Sequence, residues 1–315
     1  MNECIESVLC QTLRCFEIIL IDDGSTDESV GICDKYALEH SSVTLIRQSC
    51  KGVSAARNAG IDAANGEFLI FLDADDHWCS DRTLECIDAL AAGSDLVCFN
   101  IKTVQNDSGT EKVFDAHSIS GDYSSGAAFL EKALGHDPEF SWFCVRYAYR
   151  RSLWNEPSVI RFPEGVRFHE DTQVVYRVVL RAGHCAVTEE CFYAYRIHSA
   201  SVSRRDSLQL IKDRIDVNYE QIRAVNDRND ISSALKDKLC RNMATAFYVA
   251  LIHSGSLEKE EKCELMKYLT KVKKSFCKYP ATKKQRAVNV FLDVFGVKAA
   301  GFVLNIRRRI RGDAR

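Results

Sequence analysis

The chain has no C-x-x-C pair among its fourteen cysteines, and no cysteine keeps a metal-like spacing to a histidine. That argues against a cysteine-ligated metal module and against a disulfide framework. Several cysteines replace apolar residues inside periodic segments, where a free thiol acts as a small hydrophobe. The expected compartment is therefore a reducing cytosol. No run approaches the roughly 20 apolar residues of a membrane span. No charged-then-apolar leader is visible, since the chain opens on a polar segment of helical character. Nothing is repeated or low in complexity. Net charge is also scarce, −2 over 315 residues, but the balance hides an asymmetry. Residues 267–315 hold 14 Lys or Arg against only Asp293 and Asp313, so an acidic body carries a basic tail.

What the chain does have is two apolar runs that each end in carboxylates. Residues 17–21 (Glu-Ile-Ile-Leu-Ile) lead into Asp22-Asp23-Gly24-Ser25-Thr26-Asp27. Residues 67–72 (Glu-Phe-Leu-Ile-Phe-Leu) lead into Asp73-Ala74-Asp75-Asp76. Unbroken apolar runs of this length suit parallel strands covered on both faces. Helical patterns at 2–13, 27–40, 53–65 and 81–91 alternate with strand patterns at 17–21, 43–47, 67–72 and 96–100. The alternation predicts an α/β fold, a Rossmann-like and mostly parallel sheet flanked by helices. Past residue 101 the pattern loosens, with strands expected at 143–149 and 191–197 and a helix over 172–182. From about 205 the chain reads all-helical, which sets expected domains of 1–205 and 206–315.

Ligands of open α/β sheets bind beyond the carboxyl ends of the strands. Two carboxylate clusters brought to one edge of one sheet repel each other unless a cation or donor groups stand between them. The expectation is a divalent metal holding a nucleotide diphosphate. Asp22 and Asp23 are candidates to accept from a ribose hydroxyl or a base N–H, while Ser25, Thr26 and Asp27 are explained by helix capping. Asp73 and Asp75, at i and i+2 on a turn leaving a strand, face one hard cation, Mn²⁺ or Mg²⁺. Lys51 and Arg57 supply positive charge, and Arg57 is expected to pair with phosphate or with the Asp cluster. Glu170 and Asp171, at a predicted helix start that favours carboxylates anyway, are the candidate general base. His169 beside them either tunes the site or packs. His198, with Tyr195, Arg196, Ser201 and Ser203, reads as ordinary loop chemistry.

The tail 286–311 places Val288, Leu292, Phe295, Ala299, Phe302 and Ile306 on one helical stripe before Arg307-Arg308-Arg309-Ile310-Arg311. Basic residues beside an apolar face suit anionic lipid headgroups better than nucleic acid. A packed C-terminal helix is the alternative.

These motifs resemble the inverting glycosyltransferases of family 2, which have the GT-A nucleotide-sugar fold. The resemblance rests on Cys4-Ile5-Glu6-Ser7-Val8-Leu9-Cys10-Gln11-Thr12, Phe16–Asp27, Gly52–Gly60, Phe71–Asp76, His169–Asp171 and Tyr195-Arg196 with Ser201-Val202-Ser203. It implies that Asp22 and Asp23 hold the nucleoside and that Asp73 and Asp75 form the D-x-D, with Asp75 nearest the metal. Asp171, with Glu170 as the lesser choice, becomes the base of the "ED" motif. The implied reaction moves a sugar from a nucleotide-sugar donor to a saccharide or lipid-linked acceptor, in polysaccharide synthesis on the inner face of the plasma membrane. The resemblance also implies a first apolar strand ahead of the helix that begins at residue 2. Its absence leads us to expect a start assigned too late. Two rivals remain: a non-catalytic nucleotide-sugar-binding protein, and a sugar-phosphate nucleotidyltransferase. The second should show a Gly-rich loop with Arg or Lys, and none is visible.

Overall fold

The computed structural model describes residues 1–105, 112–113, 117–166, 169–197 and 207–311. His198, Ser201 and Ser203 lie outside the described residues. The chain divides into two units: the first holds Met1–Phe129, Trp142–Val166 and Glu170–Ser201, the second Leu130–Ser141, Arg167–His169 and Val202–Arg315.

In the first unit, helix α1 (Asn2–Leu9) precedes β1 (Ile18–Asp22), α2 (Ser29–Glu39), β2 (Val43–Arg47), α3 (Val53–Ala63) and β3 (Phe68–Ile70). There follow β4 (His77–Trp78), α4 (Thr83–Ala91), β5 (Leu96–Gln105), β6 (Lys112–Val113) and β7 (Gly121–Tyr123). After α5 (Gly126–His136), whose residues from Leu130 on belong to the second unit, come β8 (Tyr147–Arg150), α6 (Ser152–Asn155), α7 (Glu170–Val179) and the long β9 (Cys185–Ile197). The α/β class stands, with a central sheet and flanking helices. The strands form a two-stranded sheet of β1 and β2, and a seven-stranded sheet whose main path runs β3-β8-β5-β9-β4.

Two details differ from the sequence reading. The sheet is mixed rather than mostly parallel: among the described residues β1–β2 and β5–β9 run parallel, and the other five ladder pairings are antiparallel. Leu96, Val97 and Cys98 of β5 and Tyr147, Ala148 and Tyr149 of β8 are fully buried. A strand covered on both faces reads as a continuous apolar run whichever way its neighbours point, so burial was legible and direction was not. Likewise, the two acidic runs leave strands of different sheets, β1 from the small one and β3 from the large one.

The second unit contains α8 (Leu208–Asp227), α9 (Ser233–His253), α10 (Lys259–Cys277) and α11 (Lys283–Arg311). Ser207 and Ser232 cap α8 and α9 by accepting from the N–H groups of Leu210 and Leu235. Leu235, Leu239, Met243, Phe247 and Leu251, at near-regular four-residue spacing, are buried along α9. Helix α11 is broken by Gly296, whose φ of 77° is non-helical. Of the stripe that periodicity selects, Leu292 is buried and Phe295 is exposed, and Val290 and Val294, off that stripe, are exposed too. Between 288 and 295 apolar side chains surround most of the helix, so period alone cannot choose the packed face. Among the described residues no helix is long and apolar enough to cross a membrane.

Candidate active site

The first acidic group is a closed loop. Asp22, nearly buried, accepts the Ser25 N–H on Oδ1 at 2.9 Å, an Asx-type turn, with Arg47 Nε 3.7 Å from Oδ2. The Asp23 carboxylate accepts from Gln48 Nε2 at 2.7 Å and from the backbone N–H groups of Lys51 and Gly52 at 2.8 and 2.7 Å. Burial acts against the charged form of Asp23, but these donors hold its pKa below the ordinary carboxylate value. Lys51 therefore meets Asp23 through its amide, with the ammonium adding only long-range attraction. Gly52 takes φ 92° at the start of α3, a conformation L side chains rarely adopt.

The second group is centred on Arg57. From α3 its Nη1 donates to Glu170 Oε1 at 2.8 Å and to Asp171 Oδ1 at 3.1 Å, while Nη2 donates to Asp73 Oδ1 at 3.2 Å. The guanidinium is only 12% exposed and stacks near Phe162, 5.4 Å from the ring centre. Asn58, next along α3, exchanges two 2.8 Å hydrogen bonds with the Phe162 backbone and so fixes that ring's segment. Three carboxylates from distant parts of the chain thus meet at one cation. Glu170 and Asp171 occupy the first turn of α7, where the helix dipole favours negative charge. Asp171 Oδ2 also accepts the Cys144 N–H at 3.0 Å. Burial pushes the Asp171 carboxyl up to about 6; Arg57 opposes the rise and the neighbouring Glu170 charge adds to it.

The D-x-D turn is braced from two sides. Asp76 does not join the outward-facing acidic surface: it is buried, accepting Tyr193 Oη–H at 2.5 Å and the Arg196 N–H at 2.7 Å. Tyr193 Oη in turn accepts the Asp73 N–H at 3.3 Å, so one phenol of β9 spans the turn. Burial raises the Asp76 pKa to about 7, although both donors pull it down. On the other side, Cys4 of α1 places its thiol 3.6 Å from the Asp73 carbonyl, and Ser7 Oγ accepts the Trp78 N–H at 3.1 Å. Gln11 receives the Leu84 N–H at the start of α4 and donates to the Ser80 carbonyl. Sequence reasoning did not find Gln48, Tyr193 or the Cys144 amide. No local signal marks them, because each acts on a partner 25 to 120 positions away.

Asp75 is exposed at the tip of this turn, beside the 38%-exposed Asp73. Among the described residues no three His, Cys, Asp or Glu side chains form an all-protein metal cage. A pair of oxygen donors at an open turn nevertheless fits Mg²⁺ or Mn²⁺, which take one or two carboxylates and complete their shell with phosphate oxygens and water.

Residues 1–154 match the sequence model described as "Glycosyl transferase family 2". The putative glycosyltransferase EpsH of Bacillus subtilis is 30% identical over 75% of this chain and 68% of its own length. The chain belongs to glycosyl transferase family 2. It is also 31% identical to the succinoglycan biosynthesis protein ExoO of Rhizobium meliloti, over 64% of this chain and 58% of that protein. The crystal structure of S. aureus TarS 1–349, in complex with UDP-GlcNAc, superposes with a TM-score of 0.72 at 18% identity, covering 98% of this chain and 87% of that one. That likeness identifies the fold, and family membership makes the protein a glycosyltransferase.

Proposed function

We propose that this glycosyltransferase moves a sugar, with inversion, from a nucleotide diphosphate donor of the UDP-sugar class to a hydroxyl of a lipid-linked saccharide. The process served is the building of a cell-surface polysaccharide, as the name of ExoO suggests. The observation that carries the reading is the Arg57 junction, which ties the candidate base to the D-x-D turn through one guanidinium. The donor class is supported by the similarly folded TarS, crystallised with UDP-GlcNAc. Asp22 and Asp23, with the loop they close onto Lys51 and Gly52, are the proposed nucleoside contacts.

Asp171 takes the proton of the acceptor hydroxyl as that oxygen attacks the anomeric carbon, while the bond to the diphosphate oxygen breaks and the nucleotide leaves with the electron pair. The Cys144 amide and Arg57 hold the carboxylate in place during that transfer. Asp75 and Asp73 would hold Mn²⁺ or Mg²⁺, a Lewis acid for the charge developing on the leaving diphosphate.

Calorimetry with UDP, with and without Mn²⁺, tests the donor reading. Metal-dependent binding that is lost in Asp75→Ala supports it, and metal-independent binding or none in the intact chain rejects it. Binding without transfer or donor hydrolysis would identify a non-catalytic nucleotide-binding protein instead.

We also propose that the protein is cytoplasmic and peripheral to the inner membrane face, held through 286–311. Exposed Val290, Val294 and Phe295 share α11 with exposed Lys283, Lys284, Arg286 and Lys298. The one carboxylate on this stretch, Asp293, is paired with Lys273 at 2.7 Å, which leaves the face cationic. Such a face suits anionic lipid. Phosphatidylglycerol-containing vesicles should sediment the wild type but not Val290→Asp/Val294→Asp. Equal binding to pure phosphatidylcholine would remove the charge argument.

A further inference from the structure

A guanidinium donates through N–H groups that all lie in its plane, so hydrogen bonding does not use its faces. Arg57 directs its two terminal nitrogens at three carboxylates, those of Glu170, Asp171 and Asp73. Its face lies over the ring of Phe162, 5.4 Å from the ring centre. That ring is buried and held by its neighbours. Phe71 meets it edge-on at 5.6 Å and 86°, and Trp154 packs on it, tilted, at 5.4 Å and 31°. Asn58, the residue after Arg57 in α3, bonds both the N–H and the carbonyl of Phe162. The helix that carries the cation therefore also fixes the platform the cation lies on.

Buried aromatic residues are ordinary core material, so burial alone decides nothing. What separates Phe162 is the chemistry its neighbours carry. Phe71 stands two residues ahead of Asp73, and its ring also meets Tyr149 and Trp154 at 6.0 and 5.5 Å. Tyr149 Oη donates to the Cys144 carbonyl at 3.1 Å, and the Cys144 N–H donates to Asp171 Oδ2 at 3.0 Å. One aromatic group thus backs the acidic turn, the cation and the amide under the candidate base. Within it, Phe162 is the ring the guanidinium lies over. An aromatic face bears negative charge density, and a guanidinium is weakly hydrated and stacks on such faces. The attraction grows where water is kept out. A long side chain has many rotamers to lose. The ring selects one in which a single guanidinium reaches both Asp171 and Asp73.

We infer that Phe162 is a positioning residue for the transfer reaction, its ring holding the face of Arg57 and so setting where the Asp171 carboxylate stands. This rests on the transferase reading above and adds to it a residue that acts through Arg57 alone.

The groups that face Asp171 are Arg57 from α3, Glu170 beside it, Asp73 and the Cys144 N–H. Arg57 pulls the Asp171 pKa down, so a loosened Arg57 lets it rise. The full-length chain, labelled with ¹³C at its aspartate carboxyls, would be titrated by NMR. The Asp171 signal is the one lost in Asp171→Asn. It should titrate at about 6 in the wild type. In Phe162→Leu, apolar but without a π face, it should titrate about half a pH unit higher, the size of a lost cation–π contact. Pentafluorophenylalanine placed at position 162 by nonsense suppression should do the same, since fluorination keeps the ring but inverts the charge on its face. Phe162→Tyr should keep the wild-type value. The fluorinated ring decides the matter even where the Leu variant does not fold. A fluorinated variant that titrates as the wild type does overturns the inference, and so does a Tyr variant shifted as far as the fluorinated one. The titration uses neither donor nor acceptor, so its result stands apart from that of UDP calorimetry.

Discussion

Arg57 satisfies three carboxylates with two nitrogens, so its removal should be felt in stability as well as in rate. Arg57→Ala leaves Glu170, Asp171 and Asp73 facing one another without their cation. Breaking a buried ion pair from one side costs about 3–5 kcal/mol, and urea unfolding should show a loss of that order. Arg57→Lys keeps the charge but not the fork, and should recover part of the stability and little of the activity. Asp171→Asn should lower transfer by about 10²–10⁴-fold, the range of a general base, with UDP affinity unchanged by calorimetry. The pH profile follows from the raised carboxyl. Only the ionised form accepts a proton, so kcat/KM for the acceptor should rise with pH up to about 6 and level off above it. A profile flat from pH 5 to 8 would remove Asp171 from the role. Residue types and their strand-end positions were readable along the chain. The Arg57 junction was not, because Glu170 and Asp171 lie 113 and 114 residues away and only the folded sheet brings them to α3.

At the scale of elements, β9 does more than complete the sheet. Its Tyr193 Oη links the Asp73 amide to the buried Asp76, and its Arg196 amide supplies the second donor to that carboxylate. Tyr193→Phe leaves Asp76 with the amide alone, and an under-satisfied buried acceptor costs about 1–3 kcal/mol. The expected signature is that loss in chemical denaturation, together with weaker Mn²⁺-dependent UDP binding through the loosened turn. Wild-type values for both would show the phenol to be incidental. The run Asp73-Ala74-Asp75-Asp76 looks like three equivalent carboxylates, yet the fold turns Asp75 outward and Asp76 inward. Composition cannot make that distinction, since it depends on which donors the opposite strand delivers. Strand direction and the packed face of α11 escaped for a related reason: both are set by partners, not by local pattern.

At the scale of the molecule, the family match ends at residue 154, but the sheet does not. β5 is flanked by β8 on one side and, along most of its length, by β9 of residues 185–197 on the other. The central ladder therefore joins segments some ninety positions apart, and such non-local pairing forms slowly. A fragment ending at 154 would lack β9, α7 and the phenol that braces the Asp73–Asp76 turn. It should be insoluble or open to protease where the full chain is resistant. During synthesis the same order holds. A further 120 positions separate Asp73 from the Tyr193 phenol that locks its turn, and until β9 is made β5 lacks its partner on that side. The turn that carries Asp73 and Asp75 is thus made well before Tyr193, the phenol that braces it from 120 positions further on.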